Sequence, residues 1–99
     1  MKQNHEIDIN PILNPTANQR AQFAPQNLKS VAVGDVVFWR NNDPALKHQP
    51  MPADGDKDDW TDPIPTNSTS LRCPTFSTVG TYDYVCALHP GEKGTITVS

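Results

Sequence analysis

Ten prolines distributed through 99 residues cut this chain into short pieces. Proline has no backbone N–H and a fixed φ, so it interrupts helices and is confined to strand edges and ends. Pro11 and Pro15 break the backbone early, and Asn41 to Pro52 reads as loop, where Pro44, Pro50 and Pro52 rule out a central strand. What remains is short and alternating. Ile7 and Ile9 alternate with Glu6, Asp8 and Asn10. Leu28, Val31 and Val33 form a partly alternating series closed by Gly34-Asp35, and Val36-Val37-Phe38-Trp39 follows at once. Gly-Asp between two such runs reads as a tight turn joining strands. Leu71 to Phe76 is a strand candidate that Pro74 demotes to an edge or a bulge. Thr78-Val79-Gly80 turns the chain. Thr81 to Cys86 then puts Tyr82, Tyr84 and Cys86 on one face, and Thr95 to Val98 turns Ile96 and Val98 inward. Asn14 to Gln22 suits a turn or a short helix. With no repeat and no long amphipathic helix, the pattern predicts an all-β fold, a small antiparallel sandwich or barrel.

Size and charge narrow the classes further. A chain of 99 residues makes one domain, 1–99, with a modest core. No stretch reaches the apolar length of a membrane span. The net charge of −3 argues against nucleic acid, which requires a basic stripe. Asp54, Asp56, Asp58, Asp59 and Asp62 form an acidic run that reads as a solvated loop, since it lacks the alternation and closing glutamate of a calcium loop. The N-terminus has no apolar run after Lys2, so it is not a secretory signal as it stands. That leaves a cytoplasmic protein or a mature domain whose leader was replaced by a start methionine.

The chemistry concentrates near the C-terminus. Cys86 and His89 sit three apart on a short loop between two strand-like runs, and His48 follows a third such run far upstream. One thiolate and two imidazoles suit copper, and also zinc. Zinc structural sites usually bring two close ligand pairs. This chain offers one pair and one distant partner, which fits a site laid across strands and fixed by the scaffold. A trigonal His₂Cys set with a weak axial ligand is the blue-copper arrangement. The expected consequence is one copper ion per chain.

Residues 23 to 99 resemble the cupredoxins, nearest to amicyanin, pseudoazurin and plastocyanin. The resemblance rests on Phe23-Ala24-Pro25, Val31 to Trp39, Asn42-Asp43-Pro44 leading to His48, Phe76 to Cys86, and His89-Pro90. Residues 1–22 form an N-terminal segment outside it. The resemblance implies a Greek-key antiparallel β-sandwich with copper at one end, held by His48, Cys86 and His89. It also implies that Asn42 stiffens the site near the Cys86 sulfur. The weak methionine of the short-loop amicyanin pattern falls here on Glu92, and the longer plastocyanin spacing falls on Gly94, which has no side chain. Either a carboxylate replaces the thioether or the axial position is empty. Met51, three residues after His48, is a competing axial candidate. A carboxylate would favour Cu(II), lower the potential and shift the colour from blue toward green or red.

Plainer readings stand beside these. Cys86 could pair with Cys73 across a hairpin, although the pattern around Cys86 favours a metal ligand and leaves Cys73 a free thiol. Trp39, Trp60, Tyr82 and Tyr84 read as packing residues, and His5 in its polar stretch is given no role. No general base, nucleophile or substrate pocket is visible, so the leading function is a one-electron carrier and not an enzyme. By family precedent its loop histidine, His89, lies in an apolar docking patch, supplied here by Met51, Pro52, Ala87, Leu88 and Pro90. Such a patch suits transient docking of a monomer with a redox protein. The resemblance further implies a periplasmic or otherwise exported location. A second reading is a red- or green-copper cupredoxin in which Glu92 swings away to open a coordination position for a small molecule. A copper-handling module ranks last, with only Met1 and Met51 in the chain.

Overall fold

The computed structural model describes residues 2–53 and 60–99. Most of the acidic run, Asp54 to Asp59, lies outside the described residues. Asp62 is exposed and meets Arg72 at 3.2 Å, a surface pair that contributes little. The described residues form eight strands in chain order: β1 (Asn4–Pro11), β2 (Ala21–Ala24), β3 (Asn27–Val31), β4 (Val36–Asn41), β5 (Pro50–Pro52), β6 (Ser68–Thr69), β7 (Gly80–Cys86) and β8 (Lys93–Val98). They form two four-stranded sheets, ordered β2-β1-β4-β6 and β3-β8-β7-β5. Of the sandwich or barrel that the strand pattern allows, the sandwich that the resemblance implies is the one that forms. Each sheet also contains one parallel pair, β1 with β4 and β3 with β8. No helix is long and apolar enough to cross a membrane among the described residues.

Most of the residues that alternation marked are inward, Tyr82 being only half-buried, and β4 adds Val37 and Trp39. Ile7 and Ile9 from β1, Val37 and Trp39 from β4, Tyr84 and Cys86 from β7, and Ile96 and Val98 from β8 are all buried. The aromatic rings pack as a group: Trp39 stacks on Trp60 at 6.0 Å and meets Tyr84 edge-on at 5.5 Å, and Phe23 meets Tyr84 at 4.8 Å. Ring pairs at such separations add to the burial of large apolar area. Tyr84 also explains Gly94, its partner across β7 and β8: a Cβ at position 94 would run into the Tyr84 ring. Gly94 is therefore a packing glycine in β8.

Four local expectations change. Gly34-Asp35 does turn the chain, with Gly34 at φ 89°, but β3 and β4 belong to different sheets, so the turn crosses the sandwich and closes no hairpin. Leu71 to Phe76 forms no strand; Leu71 is exposed, and only Thr75 makes an isolated bridge, to Val36. The stretch 14–20 is irregular and leads directly into β2, with no helix. The loop expected from Asn41 to Pro52 ends in a short strand, β5, because Pro50 and Pro52 are tolerated at a sheet edge, where among the described residues β5 pairs with β7 alone. His5, given no role by the sequence, lies in β1 with Nε2 2.8 Å from Asp35 Oδ2.

Candidate metal centre

Cys86 is the last residue of β7 and is fully buried. The chain then turns back tightly. His89 N–H donates to the Cys86 carbonyl at 3.2 Å, Glu92 N–H to the His89 carbonyl at 2.9 Å, and Cys86 N–H to the Glu92 carbonyl at 2.9 Å. This loop is anchored from outside as well. Ala87 N–H donates to the Gln49 carbonyl at 2.8 Å, and Gly91 N–H to the Asn18 carbonyl at 2.7 Å. A Cβ at Gly91 would sit 2.7 Å from that Asn18 oxygen, so only glycine allows the loop to lie this close to residue 18. The spacing Cys86-x-x-His89-x-x-Glu92 thus places three side chains on one rigid turn.

His48 arrives from the opposite direction. Its backbone is pinned by a bridge to Ile64, and its ring is fully buried. Asn41 fixes the approach: its Nδ2 donates to the carbonyls of Leu46, Ile64 and Pro65, and its Oδ1 accepts the Asp43 N–H at 2.9 Å. The structure thus brings His48, Cys86, His89 and Glu92 together with one donor atom from each lying within 4.8 Å of all the others.

Cys86 Sγ lies 3.9 Å from His48 Nδ1 and 3.7 Å from His89 Nδ1. Sulfur and nitrogen ligands at roughly 2.3 and 2.0 Å from one ion, at trigonal angles, would be roughly 3.7 Å apart. The observed separations fit that arrangement. Glu92 Oε1 lies 2.9 Å from His48 Nδ1 and 3.4 Å from His89 Nδ1. Its other oxygen, Oε2, accepts the Arg20 N–H at 2.7 Å and the Ala21 N–H at 2.9 Å. The carboxylate is therefore clamped by backbone on one side and presents a single oxygen to the histidines. Burial works against the charge on Glu92, but the His48 hydrogen bond and the Arg20 N–H outweigh it and hold its carboxyl below the ordinary range. Burial likewise opposes a charged His48. Its hydrogen bonds to Cys86, Glu92 and Asp43 prevail and raise it to about 10 without metal. A metal held by His48 Nδ1 would displace a proton from the ring.

Two sequence expectations are corrected here. Asn42 does not approach the sulfur; its side chain donates to Asn10 Oδ1 at 2.9 Å, on the β1 side. The group that reaches Cys86 Sγ is the backbone N–H of Gln49, at 3.3 Å. A backbone donor carries no residue-type signal, and of the adjacent asparagines Asn41 ends β4 and bonds the loop carbonyls before and after His48, while Asn42 lies just beyond the strand and bonds Asn10. Met51 pairs with Val85, one position out of step with the Pro50–Cys86 pair, so it shares the face opposite to Cys86 and is no axial candidate. The disulfide alternative is absent: both Cys73 and Cys86 are free. Sequence reasoning also passed over Asp43, whose Oδ2 lies 2.9 Å from His48 Nε2, although Asn42-Asp43-Pro44 was in view.

No protein-family model matches the sequence, and no curated protein is significantly similar to it. Solved structures are. A purple cupredoxin from Nitrosopumilus maritimus superimposes with a TM-score of 0.74 at 27% identity, covering 96% of this chain and 99% of that one. A single-substitution variant of amicyanin, in its reduced Cu(I) form at pH 4, gives 0.74 at 25% identity over 97% of this chain and 82% of its own. Amicyanin from Paracoccus versutus gives 0.73 at 18% identity over 97% and 81%. The fold is thus that of a β-sandwich with a small metal centre at one end. The fold is that of the cupredoxins, and the His–Cys–His–Glu cluster fits a type 1 copper site.

Proposed function

We propose that this protein carries single electrons on one copper ion held by His48, Cys86 and His89, with Glu92 as the axial ligand. The observation that carries the reading is the convergence of those four donor atoms within 4.8 Å of one another. Two imidazoles and a thiolate are the donors that suit copper, and copper supplies the one-electron Cu(I)/Cu(II) couple. The protein's part is to keep those donors still. Cys86, His89 and Glu92 share one hydrogen-bonded turn, and His48 is fixed by Asn41 and Ile64. A rigid donor set suits electron transfer, because little has to reorganise.

The clamp on Glu92 favours the carrier over a site that opens. Two backbone N–H groups hold Oε2, so swinging the carboxylate away would strand two donors at the buried end of the sandwich. The reading includes one domain, no enzymatic activity, an exported location and a redox protein as partner. Ala87, Leu88 and Pro90 are exposed around His89, whose side chain keeps 14% of its surface accessible. With Met51 and Pro52 they form the docking patch in this proposal. Such a small apolar patch suits weak, fast docking by a monomer.

The test is reconstitution with one equivalent of Cu(II), followed by optical and EPR spectroscopy and voltammetry. One tightly bound ion, an intense thiolate-to-copper band and a reversible one-electron wave are expected. A protein that takes up Cu(II) without that band would end the assignment of Cys86.

A further inference from the structure

Asp43 stands two residues beyond the end of β4, is almost fully buried, and divides its two oxygens between separate tasks. Oδ1 accepts the N–H groups of Ala45 at 2.8 Å and Leu46 at 3.3 Å. Oδ2 lies 2.9 Å from His48 Nε2. The loop bonds fix the carboxylate before His48 is considered, and they turn its second oxygen onto the ring nitrogen that faces away from Cys86 and Glu92. An ionised carboxylate can only accept there. His48 Nε2 therefore carries a proton, and Asp43 keeps it there, so the proton that a metal would displace is the one on Nδ1, which faces Cys86 and Glu92.

His89 is arranged differently. Among the described residues its one ion-pair contact is from Nδ1 to Glu92, at 3.4 Å. The two imidazoles of the cluster are therefore unequal: one is backed by a buried carboxylate and one is not. A carboxylate behind a ligating histidine fixes its tautomer and raises its donor strength. It also adds negative charge close to the metal, which stabilises the more highly charged ion.

We propose that Asp43 is a positioning residue for the metal centre: it selects the Nε2–H tautomer of His48 and biases the site toward the oxidised ion. This rests on the copper reading above, and the experiment separates the two. In Asp43→Asn the amide must satisfy both neighbours with one oxygen and one NH₂. If the oxygen stays on Ala45 and Leu46, the NH₂ faces His48 Nε2 and favours the wrong tautomer. If the oxygen turns to His48, two backbone donors lose their acceptor. Either way the site loses the charge.

Chelator competition with Cu(II) and Cu(I) on the wild type and Asp43→Asn, with voltammetry, gives the answer. Cu(II) affinity should fall by about 10–100-fold, the range for loss of such a partner, and Cu(I) affinity by less. The reduction potential should rise accordingly. Equal losses in both oxidation states, or none, would overturn the proposal and leave Asp43 as loop scaffolding only. A ¹⁵N NMR spectrum of the Cu(I)-loaded wild type decides independently of whether the variant folds. A protonated His48 Nε2 supports the proposal, and an unprotonated one ends it. A wild type that binds no copper would instead overturn the functional reading, and this inference with it.

Discussion

Strand β4 has an aspartate–histidine pair at each end. Asp35 precedes it and accepts from the N–H groups of Gln3 and Ala32 while contacting His5 Nε2 at 2.8 Å. Asp43 follows it and accepts from Ala45 and Leu46 while contacting His48 Nε2 at 2.9 Å. The local chemistry is nearly the same: one buried carboxylate, two backbone donors, one imidazole. The difference lies in what the histidine's other nitrogen meets. His48 Nδ1 faces Cys86 and Glu92, whereas the only ion-pair partner of His5 among the described residues is Asp35. One pair staples the N-terminal strand to the turn before β4. The other backs a metal centre. A carboxylate–histidine contact is thus not itself a functional sign; the second nitrogen decides.

Substitutions at the two ends should separate these roles, and the largest effect belongs to the metal end. Cys86→Ser should abolish essentially all of the intense visible absorption of the copper-loaded protein, as seen in a single optical spectrum. A variant that keeps its colour would break the comparison at its centre, since the metal end would then lack its thiolate.

Glu92→Met comes next. A neutral thioether in place of an anionic oxygen favours Cu(I), so the potential should rise and the spectrum should turn bluer. Two backbone N–H groups hold the Glu92 carboxylate whatever the state of His48, so the wild-type potential should be flat across neutral pH. Voltammetry on both proteins between pH 5 and pH 8, bracketing neutrality, measures both effects. Superimposable waves would show that the carboxylate does not act on the metal.

Asp35→Asn should act on stability and leave the spectrum alone. Hydrogen bonds from His5, Ala32 and Gln3 lower the Asp35 carboxyl from 3.8 to about 2. A depressed carboxyl contributes stability that is fully present above the unfolded value and is lost as pH falls through the folded one. The wild type should therefore lose this contribution as pH drops through about 2, and the variant should lack it at every pH. Thermal melts of the two metal-free proteins between pH 2 and pH 6 measure this; a shifted copper spectrum in the variant would mean that the two ends are coupled.

Cys73→Ala should have the smallest effect. Cys73 is a half-buried free thiol whose Sγ lies 3.8 Å from Ser70 Oγ, and it is not part of the metal-binding cluster. The visible spectrum should be unchanged, and any covalent dimer on a non-reducing gel should disappear. A bleached variant would mean that the metal end reaches further than the four clustered residues.

Strand pattern alone pointed to an all-β sandwich or barrel, to the alternating faces of β1, β7 and β8, and to Cys86 and His89 on one short loop, because alternate side chains point to opposite faces and residues three apart share a turn. The resemblance added the sandwich, His48 and the place of Glu92. Tertiary structure alone decided what each polar group meets. The swap of Asn42 for Asn41 and for the Gln49 N–H, the exclusion of Met51, and the crossing at Gly34-Asp35 all depend on which strands become neighbours. So do the Arg20 and Ala21 clamp on Glu92 and the placing of Asp43 behind His48. Backbone N–H groups are the same in every residue but proline, and a hydrogen bond across 71 or 72 positions leaves no pattern in the chain that makes it.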